Sequence, residues 1–240
     1  MCESKVGVPS NTRVFDDDVL GVLGDVIGKM RKGVLTLGEF KKSAKRENPF
    51  EGDPEPNRGF IKNWQKFYKK VFGEVFDFSD IRIPGCPGIP GKEWRLIIVA
   101  KGMTPEELFC KCREKFGAWK WTDRNLNEIV ISDRTAKDGH YAIWVRARVE
   151  ADEEFKNLSV NNLKAQNHKG ITLEERLVLE LFHFWKTRKH LDIQNITLCS
   201  GSRYSGGSVA RVDWSVGGVG VDWFSPDCSD DDLRSREAVS

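Results

Sequence analysis

The sequence predicts an α+β fold, in which helices and strands alternate through the middle of the chain and the final stretch is strands and turns. Three observations carry that prediction. Helix-capping signatures at Thr104 and Thr172 precede segments with helical apolar spacing, RLIIVA and YAIWVRARV have the length and pattern of strands, and residues 195–240 are short β-type runs broken by Gly, Ser and Asp.

The bulk properties are those of a globular protein. Of 240 residues, 39% are hydrophobic and 31% charged, which excludes a disordered polyelectrolyte. A formal charge of +2 gives no whole-molecule field that would select a partner. No apolar run approaches the roughly 18 residues of a membrane span, and the opening MCESKVGVPSNTRVFDDD lacks a signal-peptide pattern, so a cytoplasmic location is the default expectation. Six cysteines at irregular spacing do not form a disulfide framework, and reduced thiols are expected.

The elements follow in order. DDDVLGVLGDVIGKMRKG offers aspartates for an N-terminal cap and places Val19, Leu20, Leu23 and Ile27 at helical spacing. NRGFIKNWQKFYKKVFGEVF aligns Phe60, Trp64, Phe67, Tyr68 and Phe72 in one stripe. IPGCPGIPG, with three prolines and three glycines, accepts neither helix nor central strand and reads as a boundary loop. The domains expected are therefore a helical N-terminal region over 1–82 and a second domain over 93–240.

RLIIVA (95–100) has the length of a buried strand. Thr104-Pro105-Glu106-Glu107 supplies a cap, a proline at the first helical position and a glutamate three residues on, predicting a helix over 105–116. YAIWVRARV (141–149) alternates, with Ile143, Val145, Ala147 and Val149 on one face. Thr172 and Glu175 form a second capping box heading a helix whose Leu177, Val178, Leu181, Phe184 and Trp185 make a broad buried face.

In the terminal strands VARVDW and VGVDWF, parity places Val212, Trp214, Val219, Val221 and Trp223 inward. Arg211, Asp213, Gly218, Gly220, Asp222 and Phe224 then point outward. The outward set follows no strand propensity, and glycines stand where β-branched residues are preferred. From Asn195 to Arg236 there is no Lys, Glu, Gln or Met, although these types fill 44 of the first 194 positions. An unbiased segment of that length would hold roughly nine. No codon for these four types, or for Trp, ends in a pyrimidine. Codons with a pyrimidine at the third base and free variation at the first two would produce this pool, with Trp confined to inward positions.

GSRYSGGSVARVDW, VGVDW and the closing Leu233-Arg234-Ser235-Arg236 together resemble the variable proteins of diversity-generating retroelements. The resemblance covers roughly residues 93 to 240 and implies a C-type lectin fold, with a helical N-terminal elaboration and a variable region over about 201–236. Gly206-Gly207-Ser208-Val209 stands where many such proteins carry a GGSW-type box. The resemblance further implies that a reverse transcriptase copies a template repeat with errors at adenines, turning asparagine codons into many residue types. Carried over residue by residue, the implied variable, ligand-binding positions are Tyr204, Gly206, Ser208, Arg211, Asp213, Ser215, Val216, Gly218, Gly220, Asp222, Phe224, Ser225, Asp227 and Cys228. Such a surface binds through a few anchors amid tolerant neighbours, here Tyr204, Arg211 and Phe224, with Asp213 and Asp222 tuning charge. The expected partner is an unidentified ligand, a protein or other macromolecule, and the expected activity is recognition without catalysis or cofactor.

Competing sites are weaker. Cys110 and Cys112 lie on a helix with diverging side chains and no second zinc pair; His183 and His190 read as packed or capping residues; Ser229-Asp230-Asp231-Asp232 lacks a calcium-loop spacing. No metal is expected. The alternative function is nucleic-acid binding by the helix over 57–72, where five basic residues from Arg58 to Lys70 interleave with Trp64, Phe67 and Tyr68 without an acid.

Overall fold

The structure, a computed structural model, describes residues 17–32, 35–44 and 57–240. It divides into two compact units, Met1–Pro56 and Asn57–Ser240. The first contributes helices α1 (Asp17–Arg31) and α2 (Leu37–Ala44). The aspartate cap at the start of α1 and the side chains of Val19, Leu20 and Leu23 lie outside the described residues; Ile27 is half exposed.

The second unit begins with α3 (Arg58–Val71), followed by β1 (Trp94–Val99), α4 (Pro105–Phe116), β2 (Ala118–Lys120), α5 (Leu126–Ile129), β3 (Val130–Ser132) and β4 (Tyr141–Arg146). It continues through α6 (Val160–Ala165), α7 (Leu173–Thr187), β5 (Ile196–Tyr204), β6 (Val209–Ser215), β7 (Gly218–Phe224) and β8 (Leu233–Ser235). Strands β1 and β4 form an antiparallel pair, onto which the C-terminus returns through a Trp144–Val239 bridge. The other strands make one mixed sheet in the order β2-β7-β6-β5-β3, with β8 sharing the outer edge of β5 beside β3. The chain is thus α+β. Among the described residues no helix is long and apolar enough to cross a membrane.

Both caps form, the second as a complete box and the first through its threonine alone. Thr104 accepts from the Glu107 amide ahead of α4, and Thr172 with Glu175 closes a complete box on α7. Glu175 also meets Arg134 at 2.7 Å, so the buried carboxylate is paired.

Three expectations change. The boundary at 83–91 does not separate domains: Trp64, Phe67 and Tyr68 of α3 lie in the same core as Leu96 and Ile98, the Trp64 indole donates to Leu96 O, and the Tyr68 hydroxyl donates to Ile98 O. The proline-rich loop is itself tied down, since the Trp144 indole donates to Pro84 O at 2.8 Å. The strand over 141–149 ends at Arg146 and is buried on both faces, Ala142 and Trp144 being as enclosed as Ile143 and Val145, because α3 and the loop cover one side and α7 the other; Val149 is 44% exposed.

Candidate functional site

The terminal hairpin pairs Val212 with Val221 and Trp214 with Val219, and closes at Ser215–Gly218. Its two-residue loop, Val216-Gly217, has φ of +53° and +76°, the positive values of a type I′ turn. Such turns select Asn or Gly at the first position. Here the residue is a β-branched valine that is 95% exposed, so no packing compensates the strained backbone.

One face of the hairpin meets the core, where Ala210, Val212, Val219 and Val221 are buried. Trp214 is half-buried and lies flat on the His190 ring, 3.4 Å between centroids, and Phe184 stacks on that ring at 5.0 Å. His190 Nδ1 is 3.0 Å from Glu180. Trp223 has the same parity, but it is 43% exposed, because β7 runs beyond the core at that end. It is not a buried anchor.

The opposite face is only partly open. Gly206, Val216, Ser225 and Asp227 are exposed, and Ser208, Arg211, Ser215 and Asp222 are half-buried, but Tyr204, Asp213, Gly218 and Gly220 are buried rather than outward. For Asp213, Gly218 and Gly220 the cause is β2, an unanticipated strand that pairs in parallel with β7, whereas Tyr204 lies in the main core beside Trp121. A Cβ at Gly218 would sit 3.0 Å from the Gly117 carbonyl, and one at Gly220 would sit 2.5 Å from the Trp119 ring. Arg211 pairs with both aspartates, Nη2 2.8 Å from Asp222 and Nη1 3.3 Å from Asp213, and its guanidinium lies over Phe224. Phe224 and Cys228 pack on a small second core of Val160, Leu198, Val209 and Leu233.

The motif residues around these positions are a rigid frame. Ser202 Oγ accepts the Leu173 amide at the start of α7, and Gly201 lies so close to the Gly170 carbonyl that a Cβ would approach to 2.7 Å. In the closing segment Arg236 reaches Asp192 at 2.6 Å, and Asp192 also holds Arg176 of α7 at 2.9 Å, all three side chains being fully buried. Arg234 binds Glu153 and Asn195. Two arginines against Asp192 and Glu180 make a charge-balanced cluster, whose interruption leaves an unpaired buried charge.

A cleft of about 180 Å³ opens where β7 leaves the core, lined by Trp121, Arg124, Ile129, Tyr204, Ser205, Gly206, Ser208 and Trp223. Glu106 braces one wall from behind: it binds Lys120 at 2.7 Å and the Leu126 amide at 2.8 Å, tying down the segment that carries Trp121 and Arg124. The opposite wall is the 204–208 turn, closed by Tyr204 N–H to Ser208 O and Gly207 N–H to Tyr204 O. Trp121 stands perpendicular to Tyr204 and to Trp223, at 5.6 and 5.8 Å between centroids. Burial pushes the Tyr204 phenol up to about 12, partly offset by the neighbouring Trp121. Trp121 and Arg124 were not singled out from the sequence. The alternation of Ala118-Trp119-Lys120-Trp121 after Gly117 is the signal that marks them.

The other candidates disperse. Cys112 is buried against Leu177 O and Cys110 is half exposed beside Glu106. His183 faces Arg95 while His190 lies between Phe184 and Trp214, so the two do not share a site. Among the described residues no cluster of His, Cys, Asp or Glu is arranged to hold a metal ion. In α3 the aromatics expected to stack bases are core, 0–1% exposed, while the basic residues face solvent. Comparison with family models, curated proteins and solved structures finds no match to this chain.

Proposed function

We propose that this chain is a ligand-binding protein whose residues 93–240, together with the α3 segment packed on their core, form a C-type lectin-like unit that displays a surface diversified by retroelement-directed, adenine-specific mutagenesis. Its α+β architecture, with β1, α4, β4 and α7 in the expected order and the terminal strands β5 to β8 after them, supports the fold reading. The observation that carries the diversification reading is Val216. Its position in a type I′ turn calls for Asn, yet it holds a fully exposed residue that the turn disfavours. An asparagine codon in a template, copied with errors at both adenines, yields valine among its products, and the unaltered template would encode the preferred Asn-Gly. A residue drawn without regard to backbone conformation is what such copying leaves behind. The frame supports the same reading, since Gly201, Ser202 and Leu233–Arg236 are buried while the exposed candidate positions Gly206, Val216, Ser225 and Asp227 lie in the loops between and after the strands. Ligand contact then falls to Gly206, Ser208, Ser215, Val216, Ser225 and Asp227, with Arg211 and Asp222 half-accessible.

The test is bulk replacement of those six exposed or half-buried residues by others from the same pool, with a library of such variants carried through thermal unfolding and ligand selection. The reading expects melting temperatures within a few degrees of the parent and variants that acquire new ligands. Loss of cooperative unfolding in most variants would overturn it.

A further inference from the structure

We infer that the cleft between Trp121, Tyr204 and Trp223 binds a tyrosine side chain of a partner protein, presented next to a carboxylate. This rests on the ligand-binding reading above but not on how the candidate positions arose. The cleft joins Trp121, Ile129 and Trp223 to the turn that carries Tyr204, Gly206 and Ser208.

Size comes first. At about 180 Å³ the cleft is well below the roughly 300 Å³ at which drug-sized pockets begin, so it holds one ring and a short arm. Its walls are aromatic, and perpendicular rings leave both a face and an edge for a further ring to meet. Apolar walls alone would accept any ring.

Two polar groups narrow the choice. The Tyr204 side chain is 95% enclosed, and its hydroxyl has no hydrogen-bond partner of acceptable geometry. A buried polar group without a partner signals a missing one. Trp121, which stands edge-on to the Tyr204 ring, is 45% exposed, and its rotation toward solvent would uncover that hydroxyl. A ligand ring entering beneath it brings its own oxygen to the Tyr204 O–H. At the mouth stands Arg124, the one charged residue of the lining, whose guanidinium has no acceptor among the described residues. A carboxylate is its natural complement. A ring with an oxygen at its far end and an anion at its near end is a tyrosine side chain flanked by an acidic group.

The probe is 3-(4-hydroxyphenyl)propionate, titrated into the full chain while the indole N–H resonances of Trp121 and Trp223 are followed by NMR, each assigned from its Phe variant. A fragment of this size at ordinary efficiency binds in the low millimolar range. Expected are shifts at both indoles, and binding weakened about fivefold or more when the hydroxyl is removed (3-phenylpropionate), when the carboxylate is removed (4-ethylphenol), in Arg124→Gln, or in Tyr204→Phe. Tyr204→Phe removes an unpartnered hydroxyl, so its thermal unfolding should not fall below that of the parent; this separates a ligand role from a structural one. Absence of indole shifts at saturating millimolar probe, or equal binding of all three fragments, overturns the inference. Either failure leaves the diversified surface standing, because that reading is also tested on the gene and on Ser215, Val216, Ser225 and Asp227, none of which lines the cleft.

Discussion

Replacing Val216 by Asn should stabilise the protein. The side chain is 95% exposed, so its removal forfeits almost no buried area, and φ of +53° places a β-branched residue in left-handed backbone. That conformation costs an L-residue about 1–2 kcal/mol, less for Asn, whose side chain bonds locally. Val216→Asn is therefore expected to gain about 1 kcal/mol, which for a unit the size of Asn57–Ser240 raises the melting temperature by about 2–4 °C. Val216→Gly should gain less, because glycine adds freedom to the unfolded chain. Urea denaturation with an unchanged slope gives the free energy directly. Stability equal to or below that of the parent in both variants would refute the reasoning, since it would mean that valine is not strained at this turn.

Trp214→Ala should cost about 3 kcal/mol, because it strips the His190 stack, whereas the half-exposed Trp223 should cost about 1 kcal/mol or less; the contrast is read from urea midpoints. Gly218→Ala should destabilise by about 1–3 kcal/mol, since its Cβ meets fixed backbone at Gly117, while Gly220→Ala should cost less because the Trp119 ring end has room to give; thermal unfolding ranks the two. Burial, with Arg95 adjacent, depresses His183 to about 4, so the folded state binds fewer protons than the unfolded one; the stability that neutral His183 contributes is present above about pH 6.5 and is lost as pH falls through 4. His183→Gln should flatten the difference in urea midpoint between pH 7 and pH 5, and an unaltered difference would contradict that assignment.

Local signals carried the helices. Thr104 and Thr172 fix where α4 and α7 begin because a cap is a contact within four residues, and the stripe of α3 marks the face that enters the core. What lay beyond reach was pairing at long range. Parity placed Val212, Val219 and Val221 correctly, but parity says which face a residue takes and not what covers it. Gly218 and Gly220 point away from the main core and are buried because β2, a hundred residues earlier in the chain, lies against β7. Trp223 points toward the core side and is exposed because the core stops short of it. The cleft was invisible for the same reason: Trp121 and Tyr204 are brought together by that pairing and by the Glu106 anchor. The Val216 turn was legible in principle, since a two-residue loop between alternating strands demands positive φ at both residues.

The most direct measurement of the diversification claim is the DNA sequence of codons 204 to 228 with its flanks. The claim predicts that codons at the candidate positions end in C or T, and that a near-copy repeat, carrying adenines at those sites and an asparagine codon opposite Val216, lies beside a reverse-transcriptase gene. Unbiased third bases with no such repeat would contradict it, and would make this hairpin an ordinary glycine-rich sheet with one strained turn.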